Sequence, residues 1–75
     1  MAKRHVALTR FGANVRDLRE KSELTQERLS ELSELDQTYI SRIENGSRNP
    51  TILSVGRIAK ALKTTVSALC EGIER

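Results

Sequence analysis

The sequence predicts an all-α domain of five helices, and three features of the chain support this. Apolar residues recur three and four positions apart along most of its length, which is the spacing expected of helices with one buried face. Threonine or aspartate residues that favour helix N-caps precede several of these stretches, and Asn45-Gly46 and Pro50 interrupt the pattern. A chain of 75 residues is expected to form one small domain.

The first helix is predicted from Thr9 to Lys21. Gly12 lies within this helix and is either a weak point of it or a point of close packing. Residues 1–6 have no periodic apolar pattern and are predicted to form a flexible tail. The apolar stripe of the first helix consists of Leu8, Phe11, Val15 and Leu18.

Two shorter helices are predicted next, from Gln26 to Ser33 and from Gln37 to Asn45. Thr25 and Asp36 precede them as N-cap residues. Gly46 ends the second one, because glycine adopts the left-handed C-cap conformation without a steric penalty. The residues predicted to face the core are Leu29 and Leu32 in the first of these helices, and Ile40 and Ile43 in the second.

A short turn joins these two helices, and each of them is too short to fold alone. This is the helix-turn-helix pattern, in which the second helix enters the major groove of DNA. Glutamine can pair with adenine, threonine or tyrosine can contact the thymine methyl group, and arginine can reach guanine or a phosphate. For Tyr39, a place at the edge of the core is an equal alternative. The predicted base-reading residues are Gln37, Thr38, Tyr39, Ser41 and Arg42.

Charge is distributed unevenly along the chain, although the net charge is only +3. Residues 37–63 carry five basic groups and one acidic group, whereas residues 20–36 carry two basic and six acidic groups. The predicted recognition helix and the loop after it therefore lie in a positive segment, as a surface that faces phosphates requires. The alternative is that these segments are ordinary solvated helix faces.

The residues from the second helix onward follow the order Thr25-Gln26, Leu29-Ser30, Leu35, Gln37-Thr38-Tyr39-Ile40-Ser41, Ile43-Glu44-Asn45-Gly46 and Arg48. This order resembles the phage-repressor (Cro/Xre-type) helix-turn-helix family, and the resemblance extends from about Phe11 to Leu69. Within that family, residues 38–41 and 47–49 are most similar to the controller proteins of restriction-modification systems. The resemblance implies a five-helix repressor-like domain and a transcriptional regulator that binds operator DNA.

The resemblance also implies roles for single residues. Arg19 and Glu44 match a partly buried ion pair of the family, and the alternative is two unrelated surface charges. Gln26 matches a glutamine that contacts the sugar-phosphate backbone, while Thr25 is expected to cap its helix at least as much as to contact DNA. The full set of predicted backbone-binding residues is Thr25, Gln26, Asn45, Ser47, Arg48 and Asn49.

Two positions depart from the pattern of the family. Glu34 stands in the turn where the family often has glycine, and Ser30 stands where it often has alanine. Glu34 is therefore expected in or near a left-handed conformation, at a cost of ~1 kcal/mol.

A fourth helix is predicted after the N-cap Thr51, and Gly56 within it is attributed to a near backbone neighbour. A final helix is predicted over residues 66–74. Its apolar stripe is expected to join two chains, because one recognition helix reads too few base pairs to select a genomic site and a homodimer reads a palindrome. The alternative is that the stripe closes the core of its own chain. The fourth helix is predicted to bury Ile52, Val55, Ile58, Ala59 and Leu62, and the predicted dimer interface is Leu69, Cys70 and Ile73.

Other functions have little support in the sequence. His5 is the only histidine, and no nucleophilic residue has a general base at a spacing typical of a catalytic pair, so an enzyme is not expected. Cys70 and His5 supply too few ligands for a metal site, and neither a cofactor nor a small-molecule ligand is expected. No apolar run approaches the ~18 residues of a membrane span, and a cytoplasmic protein is predicted.

The remaining alternative is an antitoxin-like protein-interaction module that also binds its own promoter. Such proteins commonly add a toxin-binding segment, which the chain up to Arg75 is not expected to contain. Repression would need only occlusion of the promoter, whereas activation would need a contact with RNA polymerase, and no residue pattern identifies that surface.

Overall fold

A computed structural model describes residues 5–74 and contains five α-helices and no strand among them, which confirms the predicted all-α fold. None of the described helices is long and apolar enough to cross a membrane. Four residues of the predicted tail, 1–4, lie outside the described residues. The helices are α1 (Val6–Lys21), α2 (Gln26–Ser33), α3 (Gln37–Glu44), α4 (Ile52–Ala61) and α5 (Val66–Leu69).

One apolar core joins the five helices. The short helix α3 packs against both α1 and α2, while α4 packs against α2 and α5. Because residues three and four apart share one face of a helix, every helix places at least one large side chain in this core. The buried apolar residues are Phe11, Val15, Leu29, Ile40, Ile43, Val55, Ile58, Ala59, Leu62 and Leu69.

Helix α1 begins at Val6, one turn earlier than the predicted Thr9. His5 acts as its N-cap, and its Nδ1 atom accepts a hydrogen bond of 3.1 Å from the backbone N–H of Ala7. The prediction failed because histidine is not a common N-cap residue, so the pattern of residues 1–6 contained no recognisable start signal. His5 and Val6, the two described residues of the predicted tail, belong to the start of this helix.

The buried stripes of α2 and α4 differ from the predicted ones. In α2, Ser33 is buried and donates a hydrogen bond of 2.7 Å to the Leu29 carbonyl oxygen, whereas Leu32 is 44% exposed. In α4, the buried residues are Ser54, Val55, Ile58 and Ala59. Ile52 lies three residues before Val55 and has the spacing of this stripe, but it is 77% exposed, which corrects its assignment to the core. A position on an apolar face is buried only where another element packs over it.

Helix α5 ends at Leu69, and residues 70–74 form turns, so the predicted helix over residues 66–74 is wrong in its second half. Asn14 explains where α5 stops, because its side-chain Nδ2 donates to the carbonyl oxygens of Leu69 at 2.8 Å and Glu71 at 2.9 Å. These bonds from α1 satisfy carbonyl groups that a continuing helix would have used. Leu69 is fully buried in the core of its own chain, which corrects the expectation that its side chain is available to a partner.

The two glycines inside helices have different surroundings. A Cβ atom on Gly12 would lie 2.2 Å from the Ile43 carbonyl oxygen, so the absence of a side chain lets α1 approach the backbone of α3. A Cβ atom on Gly56 would have no heavy atom within 4 Å. Of the two alternatives for Gly12, close packing is therefore confirmed, whereas the backbone neighbour expected at Gly56 is absent.

These surroundings predict opposite effects of alanine at the two positions. Gly56→Ala should raise the free energy of unfolding by about 1 kcal/mol, because alanine favours a helix more than glycine does and the added methyl group meets open space. Gly12→Ala is the matched change and should lower it by about 1–3 kcal/mol, since the added group overlaps a backbone that cannot move cheaply. Urea denaturation of both variants measures these changes. A destabilised Gly56→Ala variant would contradict the first expectation.

Candidate DNA-binding surface

The exposed side of α3 and the first turn of α2 line one open notch of about 490 Å³. Ile40 and Ile43 anchor the opposite side of α3 in the core. Because those two side chains fix the rotation of the helix, its polar residues must face outward. The side chains that line the notch are Gln26, Gln37, Thr38, Ser41, Arg42 and Asn45.

Capping interactions fix the ends of the two helices. The side chains of Thr25 and Asp36 accept hydrogen bonds of 3.0 Å from the backbone N–H groups of Arg28 and Thr38, respectively, which confirms both predicted N-caps. The Thr25 hydroxyl keeps its own hydrogen for a further acceptor. Since Gln26 is the first residue of α2, the positive end of this helix lies at the notch.

The turn between α2 and α3 contains the expected left-handed residue. Glu34 has φ 60° and ψ 32°, which confirms the conformation predicted for this departure from the family. The Leu35 backbone N–H donates to the Ser30 carbonyl oxygen at 3.2 Å, and the Ser30 hydroxyl donates to the Leu35 carbonyl oxygen. The serine that stands in place of alanine thus gives the turn a second hydrogen bond.

The loop after α3 begins with a tight C-cap. Gly46 has φ +80°, and the backbone N–H groups of Gly46 and Ser47 donate to the Ile43 and Arg42 carbonyl oxygens at 3.1 and 3.0 Å. The Asn45 side chain accepts from the Ser47 N–H at 3.0 Å. The Ser47 hydroxyl donates to the Arg42 carbonyl oxygen at 3.3 Å. Asn45 and Ser47, both predicted to bind the DNA backbone, therefore also shape the loop.

A buried carboxylate lies directly behind the notch. The side chain of Glu44 is 0% exposed, and Arg19, 12% exposed, donates to both of its oxygens, at 2.6 Å from Nε and 3.0 Å from Nη2. Gln26 Nε2 donates to Glu44 Oε1 at 3.0 Å, and Arg16 Nε lies 3.5 Å from the same oxygen. Glu44 thus joins α1, α2 and α3 through one side chain.

The surroundings of Glu44 shift its ionisation equilibrium. Burial of the carboxyl group raises its pKa, but hydrogen bonds from Arg19 and Gln26 and the charge of Arg19 outweigh that effect. The net result is a pKa below the ordinary value, so the charged form is favoured in the folded protein. The side chain of Gln26 is consequently oriented by a full negative charge, with its second N–H left for another acceptor.

Tyr39 is half-buried and lies against the core, and its hydroxyl takes part in hydrogen bonds with α4. Its ring supports the guanidinium group of Arg48, whose Cζ lies 5.2 Å from the ring centroid. These contacts support a place at the edge of the core, and a base-reading role for Tyr39 stays a prediction. Arg48 and Asn49 are exposed in the loop, as a contact with the DNA backbone would require.

Sequence reasoning missed three contributors to this surface. Arg16 contacts Glu44, and the hydroxyl groups of Thr51 and Ser54 lie beside Tyr39. Ser54 had a detectable signal, because it lies four residues before the buried Ile58 and so shares its helix face. Arg16 had none, since it lies on the exposed side of α1 and reaches Glu44 only through tertiary packing.

Two short helices joined by a turn, with a polar notch on the second helix and a cationic loop after it, define a helix-turn-helix DNA-binding protein. A helix-turn-helix family model matches residues 15–69. The chain belongs to this family of DNA-binding regulators.

Two relatives of the chain are control proteins. The chain is 42% identical over 67 residues to the control protein C.MunI of a Mycoplasma species, a match that covers 88% of this chain and 90% of that relative. It is 45% identical over 56 residues to the control protein C.SmaI of Serratia marcescens, covering 75% of this chain and 67% of the relative. The recognised resemblance to controller proteins is thereby confirmed.

Solved structures of restriction-modification controller proteins share the fold. C.AhdI from Aeromonas hydrophila superposes with a TM-score of 0.81 at 37% identity, covering 83% of this chain and 94% of that one. C.Esp1396I, solved as a tetramer in complex with its natural 35 base-pair operator, superposes with a TM-score of 0.80 at 37% identity, covering 91% and 90% of the two chains.

The geometry of Glu44 predicts its effect on stability. Glu44→Gln should lower the free energy of unfolding at pH 7 by about 3–5 kcal/mol, because Arg19 is left as a buried charge without its counterion. Since the pKa is lower in the folded state, the contribution of Glu44 is complete above the ordinary glutamate value of 4.5, which applies to the unfolded chain, and is lost as the pH falls through the folded pKa.

Urea denaturation across the acid range tests this expectation. Below about pH 5, the wild type should lose stability more steeply than Glu44→Gln. Glu27→Gln, which removes an exposed carboxylate from α2, is the control and should follow the wild type. Parallel pH profiles for the wild type and Glu44→Gln would show that Glu44 does not carry this dependence.

Proposed function

We propose that the chain is a transcriptional regulator of the restriction-modification controller type that binds a two-fold symmetric operator as a homodimer. The observation that supports this most directly is the notch shared by the positive end of α2 and the exposed side of α3. Such a notch offers donors and acceptors to base edges beside a site for a phosphate. The proposed action is regulation and not catalysis, and it takes place in the cytoplasm.

The residues of the surface divide into two proposed roles. Gln37, Thr38, Ser41 and Arg42 project from the exposed side of α3 and are proposed to read base edges in the major groove. Gln26, at the start of α2, and Arg48 and Asn49, in the loop, are proposed to hold phosphates on either side. The hydrogen bond between Gln26 and Glu44 and the C-cap of the loop after α3 hold these groups in place in the free protein. Less conformational freedom is then lost on binding DNA, which lowers the entropy cost of binding.

The proposed dimer interface needs revision because Leu69 lies inside the core. Ile73 remains half-buried at the surface, where it lines a largely apolar hollow of about 400 Å³ together with Pro50 and Phe11. Ile52 and Leu53 follow Pro50 closely and are 77% and 74% exposed. An apolar surface of this kind is typical of an interface, and a two-fold dimer would cover the same patch on both chains. We therefore assign the proposed contact with a second copy to Ile52, Leu53 and Ile73, with the half-buried Cys70 near its edge.

The proposed division of roles makes different predictions for the two kinds of residue. Arg48→Ala should weaken binding about equally on all duplexes and reduce the salt slope of the binding constant by about 1. Gln37→Ala or Thr38→Ala should relax the preference at one base position by about 1–3 kcal/mol. Titrations would use a duplex selected by the protein from a random library and a scrambled duplex of equal length. Unchanged preference in both α3 variants would refute the base-reading assignment.

The dimer proposal is tested by matched aspartate variants. Leu53→Asp should shift the protein from dimer to monomer in sedimentation equilibrium at tens of micromolar, because it places a charge in an apolar interface. Leu32→Asp is the control, since Leu32 is also partly exposed but lies on α2 outside this patch. The interface is misassigned if both variants remain dimeric, and dimerisation itself fails if the wild type is monomeric and binds a single half-site tightly.

A further inference from the structure

The loop that carries Arg48 is supported by α4, a helix outside the helix-turn-helix. We propose that the hydroxyl groups of Thr51 and Ser54 act through Tyr39 to position Arg48 for its contact with the DNA backbone. We call the four residues Thr51, Ser54, Tyr39 and Arg48 the positioning relay. This inference rests on the proposed function, because it assumes that the loop after α3 contacts DNA.

The relay begins at the N-terminus of α4. The Ser54 backbone N–H donates to the Thr51 hydroxyl oxygen at 3.1 Å, and the Thr51 hydroxyl donates to Ser54 Oγ at 2.9 Å. The N-cap therefore fixes the Ser54 side chain in place. Ser54 is a buried residue, and a buried hydroxyl is tolerated when its hydrogen-bonding capacity is used.

Tyr39 is held by both ends of this cap. Its hydroxyl donates to Ser54 Oγ at 3.0 Å and accepts a hydrogen bond of 3.3 Å from the Thr51 backbone N–H. The other end of the side chain is fixed by α3, whose neighbouring Ile40 is fully buried. A tyrosine side chain has only two rotatable bonds, so pinning its far end leaves the ring in one orientation.

The fixed ring supports Arg48. The guanidinium Cζ lies 5.2 Å from the ring centroid, within the distance at which a cation is attracted to an aromatic face. Arg48 is otherwise an exposed residue with a long flexible side chain. By limiting its conformations in the free protein, the ring reduces the freedom that Arg48 loses when it binds a phosphate.

The hydrogen bonds of the relay lead from α4 to Arg48, the residue proposed to contact DNA. Thr51 and Ser54 are not part of the notch, and Tyr39 does not line it either. Their shared hydrogen bonds end at the ring under Arg48, which lies in the cationic loop beside the notch. Ser54 and Thr51 are therefore positioning residues, because neither lines the notch and their hydrogen bonds lead to the ring under Arg48.

A double-mutant cycle tests the relay. The variants are Ser54→Ala, Arg48→Ala and the double variant, measured on the duplex selected from a random library and at several salt concentrations. Ser54→Ala should weaken binding roughly fivefold with the salt slope of the wild type, because Arg48 still reaches its phosphate, whereas Arg48→Ala should lower the slope. In the Arg48→Ala background, Ser54→Ala should have no further effect. Tyr39→Phe, which keeps the ring and removes its hydroxyl, should reproduce the behaviour of Ser54→Ala.

A threonine cap elsewhere provides the control for stability. Thr65 caps α5 by accepting a hydrogen bond of 3.0 Å from the Ala68 N–H, and its side chain makes no hydrogen bond to the relay. Thr65→Ala should lose stability while its affinity for the duplex stays unchanged. Urea denaturation would confirm that each variant is folded under the binding conditions.

The outcomes separate the relay from the proposed function. Equal losses on Ser54→Ala with and without Arg48 would overturn the relay, since the serine would then act through stability alone. An Arg48→Ala variant with unchanged affinity would also overturn the relay. If Gln37→Ala changes the base preference in the same set of titrations, the proposed function still holds. If neither Arg48→Ala nor Gln37→Ala changes binding, the proposed DNA surface itself fails.

Discussion

The structure of the DNA-binding surface depends on the buried carboxylate of Glu44. This side chain belongs to α3, yet its hydrogen-bond partners Arg19 and Gln26 come from α1 and α2. Arg19 also donates from Nη1 to the Leu24 carbonyl oxygen at 2.7 Å, which ties the turn before α2 to the same cluster. Packing of Ile40 and Ile43 fixes the rotation of α3. The charged pair adds directional hydrogen bonds that link α3 to α1 and α2.

This arrangement has a direct consequence for recognition. The same carboxylate that pairs with Arg19 orients the amide group of Gln26, which lines the notch beside Gln37. A side chain at the protein surface is thus held by a charge that solvent does not reach. Groups that are already in place bind a phosphate or a base edge without first losing conformational freedom, so under the proposed function Glu44 would contribute both to structural stability and to DNA affinity.

The second support of the surface comes from outside the helix-turn-helix. Tyr39 links the recognition helix to the start of α4, and Arg48 lies over its ring. The exposed residues Ile52 and Leu53 belong to the same first turn of α4. This turn therefore adjoins the proposed loop contact and forms part of the proposed dimer interface. A change in how two chains associate would act close to the residues proposed to position Arg48.

The fold was predictable where local signals are strong. Thr25, Asp36 and Thr51 are good N-cap residues, and the apolar positions of α3 have a clear helical spacing. The helices α2 and α3 therefore agree closely with their predicted ranges, and α4 begins directly after its predicted cap. The start of α1 was missed because a histidine cap is uncommon. The end of α5 was missed because Asn14, 55 residues away in sequence from Leu69, supplies the hydrogen bond that ends it.

The sequence by itself determined the all-α fold, the helix-turn-helix and the set of polar residues on α3, because caps and periodicity act over a few neighbouring residues. Only the tertiary structure decided that Leu69 lies in the core, that Ile52 and Leu53 are exposed and that Gly56 has no close neighbour. It also decided that Gln26 donates a hydrogen bond to Glu44. Each of these depends on which helix covers a given face. The packing of residues that are distant in the chain decides which face is covered. The spacing of residues within one helix contains no information about that packing.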